Sequence, residues 1–221
     1  GQFTIYGAFR YDKNNFDRSL QDNLCSLQTP VQVMVANVAG KNIFDCLEAW
    51  VEQRWQLKCW QPSVSDKFNR LKNSYINTQE MGIDRWLAMV AAWEKHQVAL
   101  CIVGCGTALT IDSIDSQGNH LGGYIVPGIE LMQQALVMSI NKHASTDYAQ
   151  DTQAAINNGA FLATTSMIDH VVKRLSDKLE TLPKCVIFGG MTELISPLLQ
   201  DQFEHDPNLV LSGLSIVHRT S

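Results

Sequence analysis

Residues 101–128 read CIVGCGTALTIDSIDSQGNHLGGYIVPG, and this stretch decides the fold. An apolar run that begins at Val98 meets the small-residue corner 104–107, and a second apolar run follows at once. A strand that reaches glycines and a threonine and then reverses brings backbone N–H groups and a hydroxyl within reach of an anion. The stretch predicts either a nucleotide phosphate site or an ordinary tight corner between strands, and alone it does not separate the two.

Strand and helix signals alternate along the rest of the chain. Apolar residues at helical spacing predict helices over residues 14–27, 42–55, 83–96, 128–139, 152–163, 166–179 and 192–200. Apolar runs and alternation predict strands over residues 3–10, 31–38, 57–62, 98–103, 108–115, 120–126 and 185–188. The polar segment 63–78 has no clear period and is predicted as a loop with a helical turn. Trp50, Trp86 and Trp93 lie on helical stripes and are expected in the core. This alternation is typical of α/β layers, and we expect a domain boundary near Gln97.

The composition argues against several classes of protein. The chain has 221 residues, of which 45% are hydrophobic, and this is enough to fill a core. A formal net charge of −5 without a basic block argues against nucleic acid, and no apolar stretch is long enough to cross a bilayer. We expect no signal peptide, because residues 1–10 have neither a basic start nor a long apolar middle, and the six cysteines lack the spacing of a zinc site. We therefore expect a cytoplasmic protein with free thiols, no metal-binding side-chain cluster, and no nucleic acid or membrane as partner.

Several segments carry a family resemblance when they are taken in order. They are Gly82-Ile83-Asp84-Arg85-Trp86, then Gly106-Thr107-Ala108-Leu109-Thr110, then LGGYIVPG over residues 121–128. Thr152, Ala155, Ile156 and Gly159 follow, and Phe188-Gly189-Gly190 comes last. From about Tyr75 onward the chain resembles the type III pantothenate kinase family.

This resemblance implies an α/β fold of two RNase H-like lobes, as in the actin and sugar-kinase superfamily. Each lobe would have a mixed central sheet flanked by helices, the first over residues 1–97 and the second over residues 98–221. The implied activity is ATP-dependent phosphorylation of pantothenate to 4′-phosphopantothenate, the first step of coenzyme A synthesis, with Mg²⁺ accompanying ATP. The implied assembly is a homodimer whose substrate site lies near the subunit interface.

The resemblance also suggests roles for individual residues. Asp84 is the candidate catalytic base, in the first turn of a helix where its carboxylate is expected to be ionised. The candidate substrate-binding residues are Tyr75, Gly82, Ile83, Asp84, Arg85 and Thr152. The candidate ATP-binding residues are Gly106, Thr107, Ala108, Gly189 and Gly190. Arg85 would offer a planar fork to the pantothenate carboxylate.

Each candidate also has a plainer structural explanation. Asp84 could cap its helix and pair with Arg85, and Arg85 or Tyr75 could be surface side chains. Thr152 either reaches the partner subunit's substrate or is a helix N-cap after Asp151. The Gly-Gly corner could serve packing alone. Outside these candidates, Asp112 and Asp115 are expected to face solvent, and no role is assigned to the histidines at positions 96, 120, 143 and 170.

Two departures from the family pattern affect these expectations. Family members open with a strand ending in Asp-x-Gly-Asn-Thr, which this chain does not contain, so we expect that the sequence lacks its natural start. The family also has Asp-x-Gly-Thr where this chain has Gly104-Cys105-Gly106-Thr107. That Asp is the usual ligand of a monovalent cation, K⁺ or NH₄⁺, and Gly104 has no side-chain oxygen. Two alternative hypotheses stay open: a non-catalytic accessory or regulatory relative, and a kinase of another small molecule.

Overall fold

A computed structural model of the chain describes residues 7, 9, 11, 15–136, 140 and 142–220. The helices are α1 (Phe16–Leu24), α2 (Lys41–Trp55), α3 (Ile83–His96), α4 (Ile129–Ala135), α5 (Thr152–Leu179), α6 (Thr192–Ile195) and α7 (Leu209–Thr220). The strands are β1 (Val33–Met34), β2 (Cys59–Trp60), β3 (Lys67–Phe68), β4 (Leu71–Lys72), β5 (Leu100–Cys105), β6 (Ala108–Ile114), β7 (His120–Pro127), β8 (Lys184–Phe188) and β9 (Glu204–His205). Most of the predicted strand over residues 3–10 lies outside the described residues, as do parts of the predicted helices 14–27 and 128–139.

The chain divides into two compact units, Gly1–Pro62 and Ser63–Ser221. In the first unit, α1 and α2 pack through an apolar cluster that includes Leu20 and Trp50, and β1 pairs with β2 in parallel. Helix α3 belongs to the second unit, where it packs against α7. The boundary between these units at Pro62 is a different division from the predicted lobes 1–97 and 98–221, which stay a prediction.

A five-stranded mixed sheet, ordered β7-β6-β5-β8-β9, is the centre of the second unit. Strand β6 is antiparallel to β5 and β7, whereas β8 is parallel to both β5 and β9. The predicted α/β class, with a mixed sheet flanked by helices, is confirmed. No helix among the described residues is long and apolar enough to span a membrane.

Different helices cover the two faces of this sheet. On one face, which we call the α5 face, β5 and β6 contribute Cys101, Val103, Leu109 and Ile111 to a cluster with α5. On the opposite face, which we call the α3 face, Leu100, Ile102 and Ile114 pack with tryptophans of α3. Both faces are therefore buried, as expected for central strands between helix layers. The predicted core positions of Trp50, Trp86 and Trp93 are confirmed, since all three side chains are buried.

Helix α5 is a single helix of 28 residues, whereas the sequence predicted two helices over residues 152–163 and 166–179. The residues between them, Thr164 and Thr165, are β-branched and are weak helix formers. In the structure their hydroxyls donate to the carbonyl oxygens of Ala160 and Phe161, at 2.8 and 3.0 Å. Both threonines are buried, so their hydroxyls need an acceptor, and the continuous helix supplies it.

The predicted loop over residues 63–78 contains a small hairpin, β3 and β4, which turns at Asn69 with a φ of 52°. The N–H of Lys72 in β4 donates to the carbonyl oxygen of Gly118 at 2.8 Å, and this bond fastens the hairpin to the turn between β6 and β7. The residues after β4 are thereby held beside the start of β7. This placement brings Ser74 and Tyr75 to the α3 face of the main sheet.

Candidate active site

The start of α3 places Asp84. Gly82 is the N-cap residue, and a Cβ at Gly82 would lie 2.7 Å from Asp84 Oδ1, so the missing side chain leaves room for the carboxylate to fold back. Oδ1 accepts the backbone N–H of Arg85 at 2.8 Å. Among the described residues, Oδ2 has no hydrogen-bond partner. The helix dipole favours a negative charge at this position, and one carboxylate oxygen remains open to a ligand.

Arg85 points into the protein and is 4% exposed. Its Nε and Nη2 donate to the two carboxylate oxygens of Asp112, at 2.9 and 2.5 Å. Its Nη1 donates to the hydroxyl oxygen of Tyr75 at 2.8 Å. The two plain explanations of Arg85, a surface side chain and an ion-pair partner of Asp84, are therefore wrong. Its role toward the pantothenate carboxylate stays a prediction.

Both members of this ion pair are held in their charged forms. Burial lowers the pKa of Arg85, but the hydrogen bonds and charge of Asp112 outweigh burial and raise the pKa above its ordinary value. Burial raises the pKa of Asp112, but hydrogen bonds from His120 and Arg85 and the charge of Arg85 hold it below its usual range. A bidentate, buried pair of this kind fixes the plane of the guanidinium.

Tyr75 completes the cluster from the other side. Its ring stacks on His120, with ring centroids 6.1 Å apart and planes 19° apart, and lies 5.6 Å from the guanidinium carbon of Arg85. The hypothesis that Tyr75 is an ordinary surface residue of a polar loop is wrong, because the side chain is half-buried and bonded to Arg85. Of the predicted substrate-binding residues, the structure brings together Tyr75, Gly82, Ile83, Asp84 and Arg85.

Two residues of this cluster were missed from the sequence. Asp112 was expected to face solvent but is 2% exposed, and His120, which had no assigned role, is 3% exposed. Alternation along β6 shows which face a residue occupies, but it does not show that helices or loops cover both faces. Asp115 is half-buried and caps the β6–β7 turn by accepting the N–H groups of Gln117 and Asn119. The sequence did contain one indication that Asp112 is buried. Gly123 pairs with Asp112 in the β6–β7 hairpin, and its missing side chain leaves room for an ion pair.

The two glycine corners lie side by side at the ends of β5 and β8. The N–H of Met191 donates to the carbonyl oxygen of Cys105 at 3.2 Å. Gly189 has a φ of +104°, and a Cβ there would collide with the backbone of Cys105, so only glycine permits this approach. The N–H of Gly106 already donates to Ala108, at 3.1 Å. The exposed hydroxyl residue Thr107 is thus the most accessible polar side chain of the corner.

The α3 face connects the ion pair to these corners. Asp112, Thr110 and Ala108 alternate along β6 and share this face, so Asp112 and Ala108 lie about 13 Å apart along the strand. Gly104 faces Thr110 on one side and Phe188 on the other in the strand register. This face of β6 therefore runs from the Arg85 cluster, past the hydroxyl of Thr110, to the corner at residues 106–108.

The space beside Gly104 is filled. A Cβ at Gly104 would lie 2.6 Å from Thr110 Oγ1 and 2.8 Å from Phe188 Cζ. There is no room for a carboxylate at this position, and an aromatic ring is a poor cation ligand for K⁺ compared with oxygen atoms. The residues present do not fit a monovalent cation here. Within the part of the chain that the structure describes, no group of three or more His, Cys, Asp or Glu side chains could hold a metal ion.

Thr152 lies apart from the other predicted substrate residues. The N-cap of α5 is Asp151, whose side chain accepts the N–H of Ala154 at 2.8 Å, so the hypothesis that Thr152 is the N-cap is wrong. Thr152 is exposed and lines an apolar groove of about 740 Å³ between α4 and α5. Since α5 covers the face of the sheet opposite to α3, no described contact joins Thr152 to Asp84 or Arg85 within the chain.

Comparison with known proteins gives a consistent result. The sequence model of the type III pantothenate kinase family matches residues 2–174. A type III pantothenate kinase from Nitrosococcus oceani is 37% identical, over 96% of this chain and 84% of its own length. A type III pantothenate kinase from Nitrosospira multiformis is 32% identical, over 96% of this chain and 81% of its own length. A solved Campylobacter jejuni structure, assigned to the Baf family of transcriptional activators, has a TM-score of 0.56 at 20% identity, covering 90% of this chain and 87% of its own. At that identity the structural likeness bears on the fold alone.

Proposed function

Because this chain belongs to the type III pantothenate kinase family, we infer that it transfers the γ-phosphoryl group of ATP to pantothenate in the first step of coenzyme A synthesis. The observation that carries this inference is the family match over most of the chain. The site agrees with it, since Asp84 and the Arg85 cluster lie on the α3 side of a sheet that ends in two glycine corners.

Asp84 is the proposed catalytic residue. Its open Oδ2 accepts the proton of the pantothenate 4′-hydroxyl and aims the oxygen at the γ-phosphorus of ATP. As the new O–P bond forms, the bond to the β-phosphate bridging oxygen breaks, ADP leaves, and the proton passes to Asp84. A carboxylate is a weak base, but in a loose transition state it needs only to orient the hydroxyl and take the proton late.

The phosphates of ATP are proposed to lie at the paired corners, Gly106-Thr107-Ala108 and Gly189-Gly190. The close approach of Gly189 to Cys105 brings both corners to one place, and Gly106, Thr107 and Gly190 are exposed there. The family's use of ATP brings a divalent metal, which we propose is Mg²⁺. Mg²⁺ is commonly held by substrate phosphates with one or two carboxylates, so it does not need a cluster of protein ligands. It would neutralise charge on the phosphates.

A monovalent cation is not proposed at Gly104. The Thr110 hydroxyl and the Phe188 ring occupy the volume that a side chain at this position would need. K⁺ and NH₄⁺ are therefore expected to have no specific role beside this strand.

Pantothenate is proposed to bind with its carboxylate toward Arg85 and Tyr75. Arg85 has two N–H groups beyond the three that Asp112 and Tyr75 occupy, and the hydroxyl of Tyr75 can still donate one hydrogen bond. Gly82 and Ile83 would line the pocket beside Asp84. The proposed roles of Gly82, Ile83 and Arg85 follow from their position at the start of α3, and that of Tyr75 follows from its hydrogen bond with Arg85.

The active form is proposed to be a cytoplasmic homodimer in which Thr152 serves the site of the other subunit. Helix α5, which begins at Thr152, packs on the face of the sheet opposite to α3, which carries Asp84, and a second copy would bring Thr152 to such a site. The apolar groove beside it needs cover, since edge strand β7 exposes Ile125 at 59% and the C-cap residue of α4, Leu136, is 60% exposed. All six cysteines are free thiols, which suits a reducing compartment.

The decisive experiment measures 4′-phosphopantothenate by mass spectrometry after incubation with ATP, Mg²⁺ and pantothenate. The wild-type protein should make the product, and Asp84→Asn should lower kcat by about a hundredfold or more, the usual scale for a lost acid–base group. Asp17→Asn is the matched control, because Asp17 also lies in the first turn of a helix, α1. It should leave kcat unchanged.

Two results would oppose the proposal. A folded wild-type protein that makes no product at high concentration would favour the non-catalytic relative. Equal turnover by wild-type protein and Asp84→Asn would remove Asp84 from the base role while leaving the kinase activity in place.

A further inference from the structure

A buried chain of hydrogen bonds continues behind Arg85. Asp112 Oδ1 accepts from Arg85 and also lies 3.1 Å from Nε2 of His120. Nδ1 of His120 lies 3.0 Å from the hydroxyl oxygen of Ser74. Asp112 and His120 come from the two strands of one hairpin, and Ser74 comes from the segment that also carries Tyr75. One network thus joins three separate parts of the chain to the guanidinium.

The sheet leaves space for this network at Gly123. Gly123 is opposite Asp112 in the β6–β7 register, and a Cβ there would lie 2.8 Å from Arg85 Nη2 and closer still to Asp112 Oδ1. The ion pair therefore occupies the volume that a side chain of β7 would otherwise fill. Any substitution at Gly123 would push Arg85 or Asp112 out of place.

The network is poorly explained by stability alone. Removing two charges from water carries a large desolvation cost, and a buried ion pair often adds little net stability over apolar residues of similar volume. A bidentate pair does fix direction, however, because both oxygens of Asp112 are used and the guanidinium cannot rotate. His120 restricts the carboxylate in turn. The two N–H groups of Arg85 that bond to neither Asp112 nor Tyr75 therefore point in fixed directions.

We propose that Asp112 and His120 are positioning residues that hold Arg85 for the carboxylate of pantothenate. This inference rests on the proposed function and adds the origin of its specificity. Neither residue needs to touch the substrate. With Asp112 and His120 in place, Arg85 and Tyr75 present ready-oriented donors to an anion, and the protein distinguishes pantothenate from analogues without that charge. Loss of either positioning residue should weaken this discrimination before it affects phosphoryl transfer.

The test compares pantothenate with pantothenol, in which an uncharged hydroxymethyl group replaces the carboxylate and the phosphorylated hydroxyl is kept. Dissociation constants come from calorimetry, and KM and kcat come from the kinase assay. Asp112→Asn should weaken pantothenate binding roughly tenfold to a hundredfold, the scale of a hydrogen bond to a charged group. Pantothenol binding and the kcat for either compound should stay close to wild type.

Asp115→Asn is the matched control, since Asp115 is a carboxylate of the same hairpin that bonds only to its turn among the described residues. It should leave pantothenate binding unchanged. His120→Leu removes the bond to Asp112, and His120→Gln keeps a donor, so Gln should restore part of the affinity that Leu loses. This pair also tests the proposal if Asp112→Asn fails to fold, which circular dichroism would show.

Three outcomes would overturn the proposal: unchanged pantothenate affinity in folded Asp112→Asn, equal losses for pantothenate and pantothenol, or a fall in kcat without a change in binding. These outcomes differ from failure of the proposed function, in which the wild-type protein itself would not phosphorylate pantothenate.

Discussion

At the scale of single residues, the absence of a side chain at Gly104 changes the chemistry of strand β5. The Phe188 ring and the Thr110 hydroxyl fill the space that a side chain at Gly104 would occupy, so this space is packed where a cation would need oxygen ligands. A cation that has no coordination shell at this position cannot contribute to phosphoryl transfer there.

We therefore expect turnover to be independent of potassium. The initial rate of pantothenate phosphorylation should be the same when NaCl replaces KCl at equal ionic strength, with Mg²⁺ and ATP held constant. Ammonium chloride should give the same rate as well. A marked fall in rate in sodium alone would show that a monovalent cation binds elsewhere in the protein.

The residue scale also shows what the sequence can and cannot predict about the site. Asp84 and Arg85 were identifiable because Gly82-Ile83-Asp84-Arg85 resembles the motif of the family, and the periodicity of the following helix placed both residues in its first turn. Asp112 and His120 were not, because their burial depends on Arg85 and Ser74, which are distant in sequence. Alternation along a strand carries no information about such long-range contacts.

At the scale of elements, ion pairs join the short edge strand β9 to its neighbours. Glu204 in β9 accepts from Lys95 of α3 at 2.5 Å and from Lys184 of β8 at 2.9 Å. Hydrogen bonds from these two lysines lower the pKa of Glu204 to about 2. Three elements are thus joined at one carboxylate that remains partly open to water.

This arrangement predicts an acid-dependent contribution to stability. Because the pKa of Glu204 is lower in the folded protein than its ordinary value of 4.5, its contribution is present above pH 4.5 and is lost as the pH falls toward 2. Glu204→Gln should lower the free energy of unfolding at pH 7 by up to about 1 kcal/mol, as for other partly exposed ion pairs. Urea titrations across this range should show the difference shrinking in acid.

Glu193→Gln serves as the control for this prediction. Glu193 is exposed in the first turn of α6 and makes no ion pair with any described residue. Its substitution should have the same small effect at every pH. A difference between wild-type protein and Glu204→Gln that stays constant down to pH 2 would contradict the role given to the lysine pair.

Helix α5 shows why element boundaries are harder to predict than element types. The helical character of residues 152–179 was evident from their apolar faces, but the sequence predicted two helices that are separated by Thr164 and Thr165. Their hydroxyls bond to the preceding turn, an effect that depends on burial and not on intrinsic propensity. The 63–78 segment was predicted as a loop because it is polar and lacks a clear period. Its hairpin was missed because it is held by a distant contact, the hydrogen bond from Lys72 to Gly118.

At the scale of the whole molecule, the position of Thr152 leads to a test of the proposed dimer. If Thr152 serves the partner's site, a mixed dimer of Asp84→Asn and Thr152→Ala subunits has one site that carries both defects and one that carries neither. Thr152→Ala alone should raise the KM for pantothenate. The mixed dimer, made by co-expression with two affinity tags, should regain activity that both parent homodimers lack under subsaturating pantothenate.

The control is a mixed dimer of wild-type and doubly substituted subunits, which leaves each site with one defect. It should be no more active than the single variants. A mixed dimer as inactive as its parents, or a monomer in sedimentation experiments, would contradict the shared site.

The compact units of the molecule depend on contacts between residues distant in sequence. The sequence suggested a lobe boundary near Gln97, where the strand pattern changes, and this boundary stays a prediction; the compact units divide after Pro62. Helix α3 belongs to the second unit because it packs on the sheet with its tryptophan face and also contacts α7. These contacts could not be predicted locally, because α7 is the last helix of the chain and is distant from α3 in sequence. The fold class, by contrast, was predictable, because local periodicity is enough to indicate alternating strands and helices.

The cysteines are divided evenly between the two units. Cys25, Cys46 and Cys59 lie half-buried in Gly1–Pro62, and Cys101, Cys105 and Cys185 are buried in the sheet of Ser63–Ser221. Burial raises the pKa of Cys105 to about 12, and the hydrogen bond with Cys185 together with burial raises that of Cys101, so alkylating reagents meet few thiolates there. Mass spectrometry of maleimide adducts at Cys101 and Cys105 would therefore time the opening of the second unit, with no engineered label.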